Sequence, residues 1–293
     1  IANHCSVTKT GPSVTVVLSG FAGKTHLDEA CEHLQKEAAR PFDERCDAHC
    51  AAVKEALRPG ALHVDADPPT RQGLCFGRMH LGAALCEAAS FSGIPCKGLS
   101  GPGYRFLTFW DTDFYLAPYY LMTRPEAIRF FLEYRWSQLD AYRENARQRN
   151  AAGAQVPWET AADGREETAP WLVLADREIH VSADAAFLFK CYDELTPDHE
   201  VMETMGAEFI METARFYASR VRWNQSADRC DLPDVGCPDQ YHTKADNNFF
   251  INVMARWNIA EALSLADSGR YNQAVEKIGL AEEEKAAWKN IVS

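Results

Sequence analysis

From about residue 26 onward, almost every periodic stretch of this chain repeats its apolar residues at helical spacing, and the breaks between stretches are loops crowded with Gly, Pro, Trp and acids. Such a pattern can bury its apolar faces only by packing helix on helix. Residues 27–57 read as one or two helices ending at Pro59-Gly60, and residues 70–91 as an Ala-rich helix closed by Gly93 and Pro95. Thr123-Arg-Pro-Glu126 reads as a capping box opening a helix, which Ile128, Phe131, Leu132, Arg135, Trp136, Leu139 and Tyr142 continue as one segment. Further helices fit 183–195, 198–222, 247–267 and 281–291. Before all of these, "VTVVL" at 14–18 reads as a lone strand that ends at Gly20. No short repeat at a fixed period is visible, which argues against a regular solenoid.

Charge and spacing exclude several classes. The formal net charge is −12 with no block of Lys or Arg, so the long-range field repels nucleic acid and anionic lipid. No apolar run reaches 18 residues, so no membrane span is expected. The chain starts at Ile1 with polar "ANHCSVTKT", which reads as the start of a fragment or processed chain rather than a signal peptide, and a cytoplasmic location is expected. "SGFAGKTH" is too short for a phosphate loop, because Leu18 stands where the pattern needs Gly. Ten Cys include no CxxC pair. Cys46-x-x-His49-Cys50 lacks a second pair at zinc spacing, so no metal and no cofactor are expected. Cys230 and Cys237 could pair in an oxidising compartment.

Three loops share one chemistry. A sugar site needs flat aromatic faces for the C–H side of the ring, with carboxylates, amides and Arg for its hydroxyls. The first loop carries Tyr104, Arg105, Phe109, Trp110, Asp111 and Asp113; the second carries Trp158 and Glu159; the third carries Asp239, Gln240, Tyr241, His242 and Asn247. Each residue also has a plainer reading, such as Trp110 in the core, Asp111 as a helix cap or Trp158 as a loop plug. The recurrence of the same composition in three loops favours the sugar site.

The stretches that carry these residues resemble glycoside hydrolase family 65. "GLSGPGYRFLTFWDTDF" is similar to the family segment in which Gly-Leu-Ser/Thr-Gly leads into Phe-Trp-Asp-Thr-Glu. "YRENARQRNAAGAQVPWETA" and "VGCPDQYHTKADNNFFINVMARWN" resemble two further family segments in the same order. The resemblance implies a mainly α chain. Residues 1–25 would be the end of a β-sandwich domain, 26–58 a helical linker, and 59–293 the first half of an (α/α)6 barrel. It also implies inverting cleavage of an α-linked glucose disaccharide or oligosaccharide, by phosphorolysis with inorganic phosphate as co-substrate or by hydrolysis. Family members are often dimers, so a homodimer is among the assemblies implied.

By the same resemblance Trp110 and Asp111 hold the glucosyl unit, helped by Arg105, Trp158 and Glu159, while Asp239, Tyr241, His242 and Asn247 complete the site. The general acid of the family is a Glu at position 240, where this chain has Gln240. Gln can hydrogen-bond the glycosidic oxygen but has no proton to transfer. The family Gly at 237 is Cys here, so strain from a positive φ is expected at that position. The family's later phosphate-cradling loop lies outside this sequence. The implied function is an α-glucoside phosphorylase or hydrolase impaired by Gln240 and truncation; the alternative is an inactive α-glucoside-binding protein.

Overall fold

The computed structural model describes residues 2–10, 13–21, 27–61, 63–84, 93–98 and 103–293. These divide into two compact units, Ile1–Ala61 and Leu62–Ser293. In the first, strand β1 (Ala2–Thr10) pairs antiparallel with β2 (Ser13–Phe21), with Ala2 opposite Phe21 and Thr10 opposite Ser13. The strand read at 14–18 is therefore not alone. Its partner is the polar segment "ANHCSVTKT", whose composition hid a strand because it lacks an apolar run. Helix α1 (Leu27–Ala38) packs on both strands, and α2 (Phe42–Leu57) buries no residue. The "SGFAGKTH" turn falls largely outside the described residues.

The second unit is helical. It runs through α3 (Pro68–Ala84), α4 (Ala117–Thr123), α5 (Pro125–Ser137), α6 (Leu139–Gln148), the short α7 (Leu174–Arg177), α8 (Val181–Leu195), α9 (Ala207–Arg220), α10 (Phe249–Asp267), α11 (Asn272–Ile278) and α12 (Glu282–Val292). A two-stranded hairpin, β3 (Arg222–Asn224) and β4 (Arg229–Asp231), follows α9. Wider turns at Thr112–Leu116 and Met202–Gly206 lead into α4 and α9. Asp67 caps α3, accepting from the Thr70 amide at 3.0 Å and its hydroxyl at 2.7 Å. The end of the Ala-rich segment, including Phe91, lies outside the described residues.

Two expectations about the next helices change. Thr123 forms no capping box: it ends α4, and its hydroxyl donates back to the Tyr119 carbonyl at 2.7 Å, while Arg124 precedes α5 without a side-chain cap. The segment from Ile128 to Tyr142 is not one helix either. It breaks at Gln138 (φ −97°, ψ 4°), where the Ser137 hydroxyl bonds back to the Tyr134 carbonyl at 2.8 Å. Ser side chains compete in this way with the helical ladder. The apolar spacing survives the break because both pieces pack on one core.

That core is formed where α8, α9 and α10 pack on one another and α5 packs on α8. Phe131, Phe189, Phe209, Phe216 and Ile210 are among its buried residues. Arg135 and Asp113 lie inside it as a fully buried ion pair. The Arg135 guanidinium donates to both Asp113 oxygens, one of them at 3.1 Å, and also to the Thr160 hydroxyl at 3.1 Å. Asp113 thus serves the core and not a ligand. Removing one partner leaves a buried charge alone. Arg135→Leu is expected to lower unfolding free energy by about 3–5 kcal/mol, read from urea denaturation; a loss under about 1 kcal/mol would contradict this role.

Candidate sugar-binding site

The first and third loops meet. An open hollow of about 460 Å³ is lined by Trp110, Phe114 and Tyr115 from one side and by Cys237, Pro238, Asp239, His242, Asn248 and Phe250 from the other. Aromatic rings supply one wall and polar side chains the rim. Trp110 is only 9% exposed, so no more than a strip of its ring reaches the hollow.

Behind Trp110 sits a buried charge network. The His180 ring meets the Trp110 ring edge-on with centroids 4.5 Å apart, and it also contacts the Trp158 and Phe250 rings. His180 Nδ1 bonds Asp184 Oδ2 at 2.6 Å, and Glu178 Oε2 lies 3.4 Å from Nε2 as a charge contact outside hydrogen-bond geometry. Burial alone would push the His180 pKa down. The two carboxylates outweigh it and raise the value to about 9, so the ring is an imidazolium at neutral pH. His180 precedes Asp184 by four residues at the start of α8, which places both on one face.

The third loop is held from below. A Cβ at Gly236 would lie 2.7 Å from Glu178 Oε1, so glycine is what lets this loop close on the network. Asn247 sits at the loop's base: its Oδ1 accepts from the Leu232 amide and its Nδ2 donates to Asp231, each at 2.8 Å. At the tip, the Gln240 main-chain N–H donates to the Cys237 carbonyl at 2.8 Å and the Cys237 main-chain N–H to the His242 carbonyl at 3.0 Å. Asp239 Oδ1 accepts from the Tyr241 and His242 amides, and Oδ2 lies 2.8 Å from His242 Nδ1. These bonds, that to the imidazole foremost, hold the Asp239 carboxyl below its ordinary range.

The strain expected at position 237 falls elsewhere. Cys237 is not among the residues with positive φ, whereas Gln240 has φ 60°. The turn closes three residues on, so the left-handed conformation falls at Gln240 and a side chain at 237 is tolerated. Cys230 and Cys237 are free thiols, and the Asn248 amide donates to Cys237 Sγ at 3.0 Å.

The other candidates lie apart from this hollow. Arg105 is tied to Glu159 at 3.1 Å and to Glu167 through its carboxylate at 3.3 Å and its carbonyl at 2.6 Å, and these residues line a second hollow of about 610 Å³. Burial pushes the Glu159 carboxyl up, against the opposing pull of Arg105. Trp158 is buried between Phe109 and His180. Asp111 is half-buried and makes no capping bond. Gln240 and Tyr241 are exposed on the turn, Tyr241 almost fully. Reasoning from the sequence missed Asn248, Phe250 and the Glu178–His180–Asp184 network, although the i, i+4 spacing of His180 and Asp184 was a readable sign.

Fold and site together define a mainly helical protein with an open hollow walled by aromatic rings and rimmed by Asp239, His242 and Asn248. Residues 76–293 match the glycosyl hydrolase family 65 central catalytic domain, and the chain belongs to that family. It is 35% identical to a kojibiose phosphorylase of Caldanaerobacter subterraneus subsp. tengcongensis, over 94% of this chain and 39% of that protein. It is 32% identical to an alpha,alpha-trehalose phosphorylase of Thermoanaerobacter brockii, over 77% of this chain and 30% of that protein. A solved structure from the human microbiome, provisionally assigned as a kojibiose phosphorylase, superposes with a TM-score of 0.83 at 22% identity, covering 95% of this chain and 42% of that one. The chain thus spans about two-fifths of the length of these kojibiose phosphorylases. Among the described residues no helix is long and apolar enough to cross a membrane.

His180 gives the site a pH signature. Its folded pKa lies above the ordinary 6.5, so its stabilisation is fully present below about pH 6.5 and is lost as pH rises through about 9. The urea midpoint is expected to fall across that window, and His180→Gln to show a flatter profile over the same range. Parallel profiles would contradict the assignment.

Proposed function

We propose that this chain forms part of the catalytic domain of an α-glucoside phosphorylase, the first half of an (α/α)6 barrel, and that it binds the glucosyl unit of an α-linked glucose disaccharide. The observation that carries this reading is the meeting of Trp110 and the 237–242 loop at one hollow, with Gln240 on the turn that forms its rim. The ring's C–H face would lie against the aromatic wall, and Asp239, His242 and Asn248 would take its hydroxyls. Phosphate would attack the anomeric carbon from the face opposite the leaving oxygen, which must gain a proton as the bond breaks.

Position 240 is where that proton would come from. The Gln240 amide can donate a hydrogen bond to the leaving oxygen but cannot release its proton, so binding and chemistry separate. This same residue supports a second reading, in which the protein keeps the sugar and does no chemistry. A homodimer remains part of the proposal through the resemblance alone, and a cytoplasmic location through the sequence alone.

Two measurements test it. In the complete protein, Gln240→Glu is expected to raise the phosphate-dependent release of glucose 1-phosphate from kojibiose or another α-linked disaccharide by roughly 10²- to 10⁴-fold, the usual contribution of a general acid. No gain, with disaccharide binding intact, would leave only the binding reading. Calorimetric titration with the disaccharide should give heat that Trp110→Ala and Asp239→Ala each reduce strongly; an unchanged titration in both would remove the sugar site altogether.

A further inference from the structure

The loop that carries Gln240 has a second chemistry. Cys237, Asp239 and His242 each bring one donor atom, a thiol sulfur, a carboxylate oxygen and an imidazole nitrogen, to within 4.8 Å of the others. Among the described residues this is the one place where three such donors converge. We propose that they bind a single borderline-soft divalent metal ion, with zinc as the class that fits.

The donor set argues for the class. Sulfur, nitrogen and one carboxylate suit zinc and cobalt and are poor for magnesium or calcium, which take oxygen ligands. Bond lengths of about 2.0–2.3 Å in a tetrahedron place donors about 3.3–3.8 Å apart, so closure around an ion replaces the 2.8 Å Asp239 Oδ2–His242 Nδ1 hydrogen bond with two metal bonds by side-chain rotation. The backbone is already set for it. The bonds from the Cys237 amide to the His242 carbonyl and from the Gln240 amide to the Cys237 carbonyl fold six residues into one closed turn. Asp239 is fixed by the Tyr241 and His242 amides, and Asn248 donates to the sulfur. That last bond serves as the outer-shell contact that steadies a thiolate ligand.

Access and chemistry agree. Cys237 is a free, half-buried thiol, and Asp239 and His242 are exposed, so an ion can arrive from solvent. Binding exchanges the thiol proton for a sulfur–metal bond, the proton leaving to solvent, with His242 ligating as the neutral ring. Three protein ligands leave a fourth position for water or a ligand hydroxyl, the pattern of open zinc sites. The three residues also line the hollow that Trp110 enters. The metal site does not depend on the sugar reading, since its donors converge whatever occupies that hollow.

Cobalt(II) titration of the purified chain tests it. The wild type should take up one cobalt per chain with a thiolate-to-cobalt charge-transfer band that zinc then displaces. Cys237→Ser should abolish the band, and His242→Ala and Asp239→Asn should each weaken binding by more than the roughly 10- to 100-fold that an outer-shell change costs. A Cys46→Ser/Cys50→Ser double variant should bind as the wild type does. Circular dichroism confirms that each variant is folded, and zinc protection of Cys237 from alkylation, read by mass spectrometry, needs no substitution at all. Absence of the band and of protection, or a band that persists in Cys237→Ser, would overturn the proposal.

Discussion

The Asp113–Arg135 ion pair is the constraint on which the site's geometry rests. Neither side chain touches solvent, and the guanidinium that satisfies Asp113 from α5 also reaches Thr160 and Tyr142. One buried cation therefore fixes the segment after Trp110 to the segment after Trp158. The backbone repeats the link, with Thr108 and Thr160 exchanging amide bonds at 3.0 and 2.9 Å. A buried pair contributes little net stability over apolar packing, but its hydrogen-bond geometry allows few alternatives. In this chain what it confers is register between two loops.

A second buried network extends that register to the third loop. Glu178, His180 and Asp184 are fully buried. The imidazolium meets Trp110 on one side, and Glu178 meets the backbone at Gly236 on the other. The first and third loops thus share a support that neither contains. It keeps Trp110 at the hollow's wall and the 237–242 turn at its rim, which is the relation that a sugar ring between them requires.

Much of this was legible in the sequence, and what was not has local causes. Apolar spacing located α5, α8, α9 and α10, because a helix that buries one face must repeat it. It could not show the break at Gln138, where a serine hydroxyl redirects one backbone bond without disturbing the spacing. The composition of the loops pointed to carbohydrate chemistry but not to which residues share a hollow. Arg105 and Glu159 are drawn together by opposite charge, and Asp113 is taken into the core by Arg135, so neither loop's polar residues act as a set. Cys237 escapes strain because the left-handed residue of its turn is Gln240. The charge network under Trp110 lay in a helix start that reads as ordinary core unless the spacing of His180 and Asp184 is weighed.

For the first and third loops to close one sugar-binding hollow as proposed, the exposed Gln240 side chain must turn from the rim toward the bond to be broken when the sugar binds. A crystal structure of the complete protein with a bound α-linked disaccharide tests this most directly. The account predicts the glucosyl ring between the Trp110 wall and the Asp239–His242 rim, with the Gln240 amide in hydrogen-bond reach of the glycosidic oxygen. A disaccharide seated instead in the hollow beside Arg105 and Glu159, or bound with Gln240 turned to solvent, would contradict it.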